Sequence, residues 1–127
     1  MHDVEKYLRE ERFKDHVVTY HSAELPDGSV IETLRWGRPD NDIYEIQYLQ
    51  YGNALLVKGD LGTAIYEVER YGNKRMRYWT GTDITYFSGK CRTSSGSEDE
   101  LAYRRNHLIG LKMAFEQLDS NAETEGD

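Results

Sequence analysis

The residues of this 127-residue chain best placed to do chemistry are two aspartates, a scatter of histidines with one cysteine, and a basic run rich in aromatic rings. Asp60, in Gly59-Asp60-Leu61-Gly62, and Asp83, in Gly81-Thr82-Asp83, are the carboxylates a fold would have to bring together for acid–base work or to hold a hard cation. Both also stand where turns and helix caps use an Asx side chain, and that role accounts for them without chemistry. The glycines around Asp60 make no phosphate cradle, because a strand follows them rather than a helix N-terminus. His2, His16, His21, His107 and Cys91 show no ligand spacing, neither a Cys-x-x-Cys nor a histidine pair one helical turn apart, so no metal and no cofactor are expected. Cys91, behind a short amphipathic stretch, reads as a small core residue before it reads as a nucleophile.

Arg70, Tyr71, Lys74, Arg75, Arg77, Tyr78 and Trp79 form the strongest binding candidate. Cations beside rings suit phosphates and bases, and equally suit an acidic protein surface. The expected anchors are Tyr71, Arg75, Arg77, Tyr78 and Trp79, since aromatic and arginine side chains gain most when an interface desolvates them. A second candidate is the acidic region Glu24 to Glu45, which would steer the protein toward a basic partner.

Net charge is −7, and it is unevenly spread. Residues 16–50 and 119–127 are each net acidic by four, whereas 51–97 are net basic by three. An acidic balance disfavours nucleic acid as the main partner. A single cysteine excludes an intrachain disulfide, and no apolar run approaches a membrane span or a signal core. A cytoplasmic setting is therefore expected. Ten Tyr, three Phe and two Trp carry much of the apolar area, which suits a thin two-layer fold.

The elements that must position these residues follow from periodicity. Residues 3–13 read as a short cover helix, with Val4, Tyr7 and Leu8 on its inner face. Strands follow at Val17–Tyr20, Val30–Trp36 and Ile43–Leu49, with Pro26-Asp27-Gly28 as a turn. Leu55-Leu56-Val57 and Ala64–Val68 flank Gly59-Asp60-Leu61-Gly62 as a tight hairpin at the centre of the sheet. The first of these runs is unbroken and reads as a strand buried on both faces; the second alternates. Tyr71-Gly72-Asn73-Lys74 turns the chain into a last strand at Arg75–Trp79. Thr82 or Asp83 caps a short helix, Ile84–Lys90, and a polar loop follows at Arg92–Gly96. Ser97 and Glu100 form a capping box for a longer helix whose stripe is Leu101, Leu108, Leu111, Phe115 and Leu118. The expected fold class is α+β: an antiparallel meander of five or six strands, packed by that helix. Residues 1–118 form the single domain and 119–127 a disordered acidic tail.

Gly59-Asp60-Leu61-Gly62-Thr63-Ala64-Ile65-Tyr66 and Asp83-Ile84-Thr85-Tyr86-Phe87-Ser88-Gly89-Lys90-Cys91 together resemble small uncharacterised phage and prophage accessory proteins. Those proteins pair a Gly-Asp-x-Gly hairpin with an Asp-x-x-Tyr-Phe-x-x-Lys-Cys helix, and the resemblance covers about residues 43–92. It implies an accessory protein and carries over no catalytic residue. By analogy of class, small acidic phage proteins of this size look like anti-CRISPR or other anti-defence inhibitors. The expected function is thus non-enzymatic inhibition of a host defence protein such as a Cas nuclease, in the cytoplasm of the infected cell. The alternative is nucleic-acid binding through the basic aromatic segment 70–79.

Overall fold

A computed structural model of the chain describes residues 3–69, 74–94 and 100–125. Helix α1 (Val4–Tyr7) starts at Asp3, whose carboxylate accepts the Lys6 N–H at 3.0 Å. It continues as a π-helical turn over Leu8–Arg12. The wider turn, closed by Phe13 N–H to Leu8 C=O at 2.8 Å, puts Leu8 and Phe13 on one face, and both are buried. Val4 and Tyr7, expected on the inner face, stay exposed.

Six strands form one antiparallel sheet in sequence order. They are β1 (Val17–Glu24), β2 (Val30–Gly37), β3 (Ile46–Tyr51), β4 (Ala54–Gly59), β5 (Ala64–Glu67) and β6 (Cys91–Ser94). The meander expected from the sequence is therefore present, but its sixth strand is Cys91–Ser94, within what the sequence suggested was mostly a polar loop. Arg75–Trp79 is not a strand; Met76–Gly81 is a 3-10 helix. Residues three apart eclipse in such a helix, so Met76 and Trp79 point the same way and both are fully buried. Ile43, Tyr44 and Glu45 also fall outside β3. Asn41 Oδ1 accepts the Ile43 N–H and Asp60 Oδ2 accepts the Tyr44 N–H, which holds Tyr44 at φ +60° in a turn.

The expected hairpin is present as β4–β5, but off the centre of the sheet, with β5 next to the edge strand β6, and Gly59 shows why glycine is needed there. Its φ is +137°, and a Cβ would stand 2.3 Å from the Glu45 carbonyl oxygen.

One face of the sheet carries Val18, Leu34, Trp36, Ile46, Tyr48, Leu55, Val57, Ala64 and Tyr66, all buried. Against it pack the 3-10 helix, α2 (Ile84–Gly89) and α3 (Glu100–Glu125). Asp83 is the cap of α2, accepting the Tyr86 N–H at 2.8 Å. Gly110 lets α3 approach the sheet closely, since a Cβ there would meet Tyr48, Ile46 and Trp36 side chains at 2.9–3.3 Å. Of the expected α3 stripe, Leu108, Leu111 and Phe115 are buried and Leu118 packs beside them, while Leu101 is exposed. Ser97 of the expected capping box lies outside the described residues. The helix does not stop at 118: residues 119–125, expected as disordered tail, continue it. Arg77 holds Asp119 by two hydrogen bonds of 2.9 and 2.8 Å, and extending an existing helix needs no new nucleus.

No described element covers the other sheet face. Leu56, expected to be buried on both sides of its strand, is only half-buried there.

Candidate functional site

The basic aromatic segment does not form one surface. Arg70 and Tyr71 lie outside the described residues. Trp79, expected as an exposed anchor, is fully buried, with its indole N–H donating to Gln50 Oε1 at 2.8 Å and its ring against Tyr66 and Phe87. Arg75 Nε stands 3.1 Å from the Glu32 carboxylate. Glu32 is itself buried beneath the sheet, where it also accepts from Tyr20 Oη at 2.5 Å and from the Met76 N–H at 2.6 Å. Three donors converging on one carboxylate fasten the 3-10 helix to β2. Arg77 is occupied by Asp119, with its guanidinium 4.7 Å from the Phe115 ring centroid. These two arginines therefore clamp the helical layer to itself and to the sheet.

Lys74 and Tyr78 remain, and the fold joins them to two residues the segment does not contain. Tyr78, on the 3-10 helix, meets Tyr86 of α2 hydroxyl to hydroxyl at 2.5 Å, with the rings edge-to-face. Lys74 Nζ lies 4.7 Å above the Tyr78 ring and Lys90 Nζ 5.2 Å above the Tyr86 ring. Among the described residues neither ammonium has a carboxylate partner. The shared hydrogen bond with Tyr86 raises the Tyr78 pKa, so the phenol stays protonated at neutral pH. The result is a half-buried patch, most open at Tyr86, of two phenols roofed by two ammonium groups. It can accept and donate hydrogen bonds, stack, and attract an anion; it contains no activated nucleophile or base. The sequence carried a signal for half of it, since Tyr86 and Lys90 are four apart on one helical face. The pairing of Tyr78 with Tyr86 had none.

The other candidates serve the fold. Asp60 and Asp83 are given separate backbone partners, Tyr44 and Tyr86. His107 is buried, donating from Nε2 to the Leu61 carbonyl at 3.0 Å, which leaves Nδ1 to accept from the Tyr66 hydroxyl at 2.8 Å. Burial pushes its pKa down to about 4. His16 is also buried; its Nε2 donates to the Tyr44 carbonyl at 3.0 Å, and burial lowers its pKa. Cys91 is a free, half-buried thiol on β6 whose Sγ donates to the Thr93 carbonyl. The region Glu24 to Glu45 is not a continuous acidic face, because Glu32 points into the core and Glu45 pairs with Arg35 at 2.5 Å. Among the described residues no group of three His, Cys, Asp or Glu could hold a metal ion, and no helix is long and apolar enough to cross a membrane.

No family model, no curated protein and no solved structure matches the chain.

Proposed function

We propose that this chain is a phage-type accessory protein that inhibits a host defence nuclease, in the manner of an anti-CRISPR, by binding its surface without catalysis. The observation that carries the reading is the Tyr78–Tyr86 pair under Lys74 and Lys90. Rings held by a mutual hydrogen bond, with Tyr86 exposed and Tyr78 half-buried, lose little entropy on docking, and ammonium groups with no carboxylate partner among the described residues can meet carboxylates of another protein. The resemblance of residues 43–92 to phage and prophage proteins supplies the biological class. Host cytoplasm is the corresponding setting.

The test is target cleavage by a purified, guide-loaded Cas nuclease with increasing amounts of the protein. Inhibition that falls at least about tenfold in Tyr86→Ala and Lys90→Ala supports the reading. Inhibition unchanged in both removes the patch from it, and no inhibition of a panel of defence nucleases removes the function. The same cations over rings favour a second reading, direct nucleic-acid binding. In that case a labelled single strand binds in the absence of any nuclease, with affinity falling steeply as salt rises.

A further inference from the structure

An open antiparallel sheet leaves main-chain donors and acceptors unpaired along its two outer strands, here β1 and β6. The two edges differ. β6 is four residues long, its pairing with β5 shifts register between Ile65 and Tyr66, and it carries the charged Arg92, all features that keep an edge from pairing further. β1 runs for eight residues and pairs with β2 in unbroken register from Val17 to Glu24. It holds no lysine, arginine, proline or glycine, and its one acid, Glu24, stands at its end.

A side-chain cap at the start of β1 shows which atoms face outward. Gln117 of α3 accepts the Val18 N–H at 2.8 Å and donates to the His16 carbonyl at 3.0 Å, so the main-chain groups of the even-numbered residues point away from β2. Beyond Gln117 the edge is uncovered. Among the described residues nothing meets the N–H or C=O of Tyr20, Ser22 or Glu24, or the C=O of Val18.

We infer that β1 pairs antiparallel with β1 of a second copy of this chain, about a two-fold axis through His21. The outward groups at Val18, Tyr20, Ser22 and Glu24 lie symmetrically about residue 21. Tyr20 therefore meets Ser22 of the partner subunit and Val18 meets the partner's Glu24, each in a hydrogen-bonding position. With the Val18 N–H held by Gln117, about six main-chain hydrogen bonds form. Thr19 faces the partner's Ala23, His21 faces its own counterpart, and the one acid faces Val18, so no carboxylate stands against another. A foreign strand offers the same main-chain bonds. What selects a second copy is that the edge matches itself under a two-fold rotation, with Gln117 outside the central pairs, and that the contact uses up both uncovered edges at once. The axis is perpendicular to the sheet, so both helical layers lie on one side of a sheet of doubled width, and two Tyr78–Tyr86 patches are presented on the same face. This is an inference about assembly and is independent of the target proposed for that patch.

The experiment is sedimentation equilibrium of the full chain from about 1 μM to about 1 mM. The inference predicts a mass that rises with concentration from one chain to two and stops there. Ser22→Pro removes an outward N–H and no bond to β2, and should weaken the dimer at least about tenfold. His21→Lys sets two ammonium groups against each other at the axis without touching the main chain. It should weaken the dimer by at least about as much, with a urea midpoint at about 1 μM equal to that of the wild type. In a sample mixing isotope-labelled and unlabelled chains, an NOE should join Thr19 Hα to Hα of the partner's Ala23. A chain that stays monomeric to about 1 mM overturns the inference, even if the amides of Tyr20, Ser22 and Glu24 shift with an added extended peptide. So does a dimer that both variants leave at wild-type strength, or growth past two chains, which a closed two-fold contact does not permit.

Discussion

At the scale of single residues, the buried polar groups of this protein hold the structure and also set its response to pH. The folded chain keeps His107 neutral down to about pH 4, because its ring is buried and its two nitrogens are committed to Leu61 and Tyr66. The unfolded ring takes a proton below about pH 6.5. Proton uptake by the unfolded state therefore removes stability as pH falls from about 6.5 to about 4, and the loss approaches 3 kcal/mol, roughly. Urea unfolding at intervals across that range should show this slope in the wild type, and a shallower one in His107→Gln, whose amide does not titrate. Glu32 makes a second prediction. Removing its carboxylate in Glu32→Ala strands the buried Met76 N–H and should cost about 2–3 kcal/mol. Arg75→Ala should cost under about 1 kcal/mol, because the arginine is largely in water. Equal losses in the two variants would show that the ion pair, not the buried acceptor, fastens the 3-10 helix.

At the scale of elements, the hairpin β4–β5 depends on one backbone approach. Gly59→Ala forces a Cβ onto the Glu45 carbonyl at an unfavourable φ, and should lower stability by at least about 2 kcal/mol in chemical denaturation. Gly28→Ala is the control, because its φ is also positive but nothing lies within 4 Å of the added carbon. The end of α3 depends instead on a surface contact. Asp119→Ala releases Arg77, and amides from Gln117 onward should exchange faster in hydrogen-exchange experiments while the urea midpoint barely moves.

At the scale of the whole molecule, the sheet separates two chemically different surfaces. The helical side presents phenols under Lys74 and Lys90; the open side presents Leu49, Leu56 and Ile65 beside Lys58 and the Arg35–Glu45 ion pair. Lys58, Lys74 and Lys90 have no ion-pair partner among the described residues, on a chain of net charge −7. With the sheet between them, Lys90→Ala and Lys58→Glu should change stability additively, within about 0.5 kcal/mol. A larger coupling, measured by urea unfolding of the single and double variants, would mean that one surface reshapes the other.

Local pattern was enough to read much of this protein from its sequence. Alternation and turn residues marked the meander and the Gly59–Gly62 hairpin, Asp83 was recognisable as a cap, and the spacing of Leu108, Leu111 and Phe115 gave the face of α3, because each depends on neighbours within about one turn or one strand. The tertiary structure decided what depends on distant residues. Met76–Gly81 became a 3-10 helix because the Glu32 carboxylate, 44 residues away in sequence from Met76, receives its first N–H. Trp79 moved from surface to core for the same reason, and Arg75 and Arg77 became clamps because Glu32 and Asp119 came within reach. The helices packed on the face that carries Trp36 and Tyr48, which leaves Leu49, Leu56 and Ile65 half-buried on a face with no cover among the described residues. A strand pattern records that both sides are apolar; which side the chain itself covers is settled by packing.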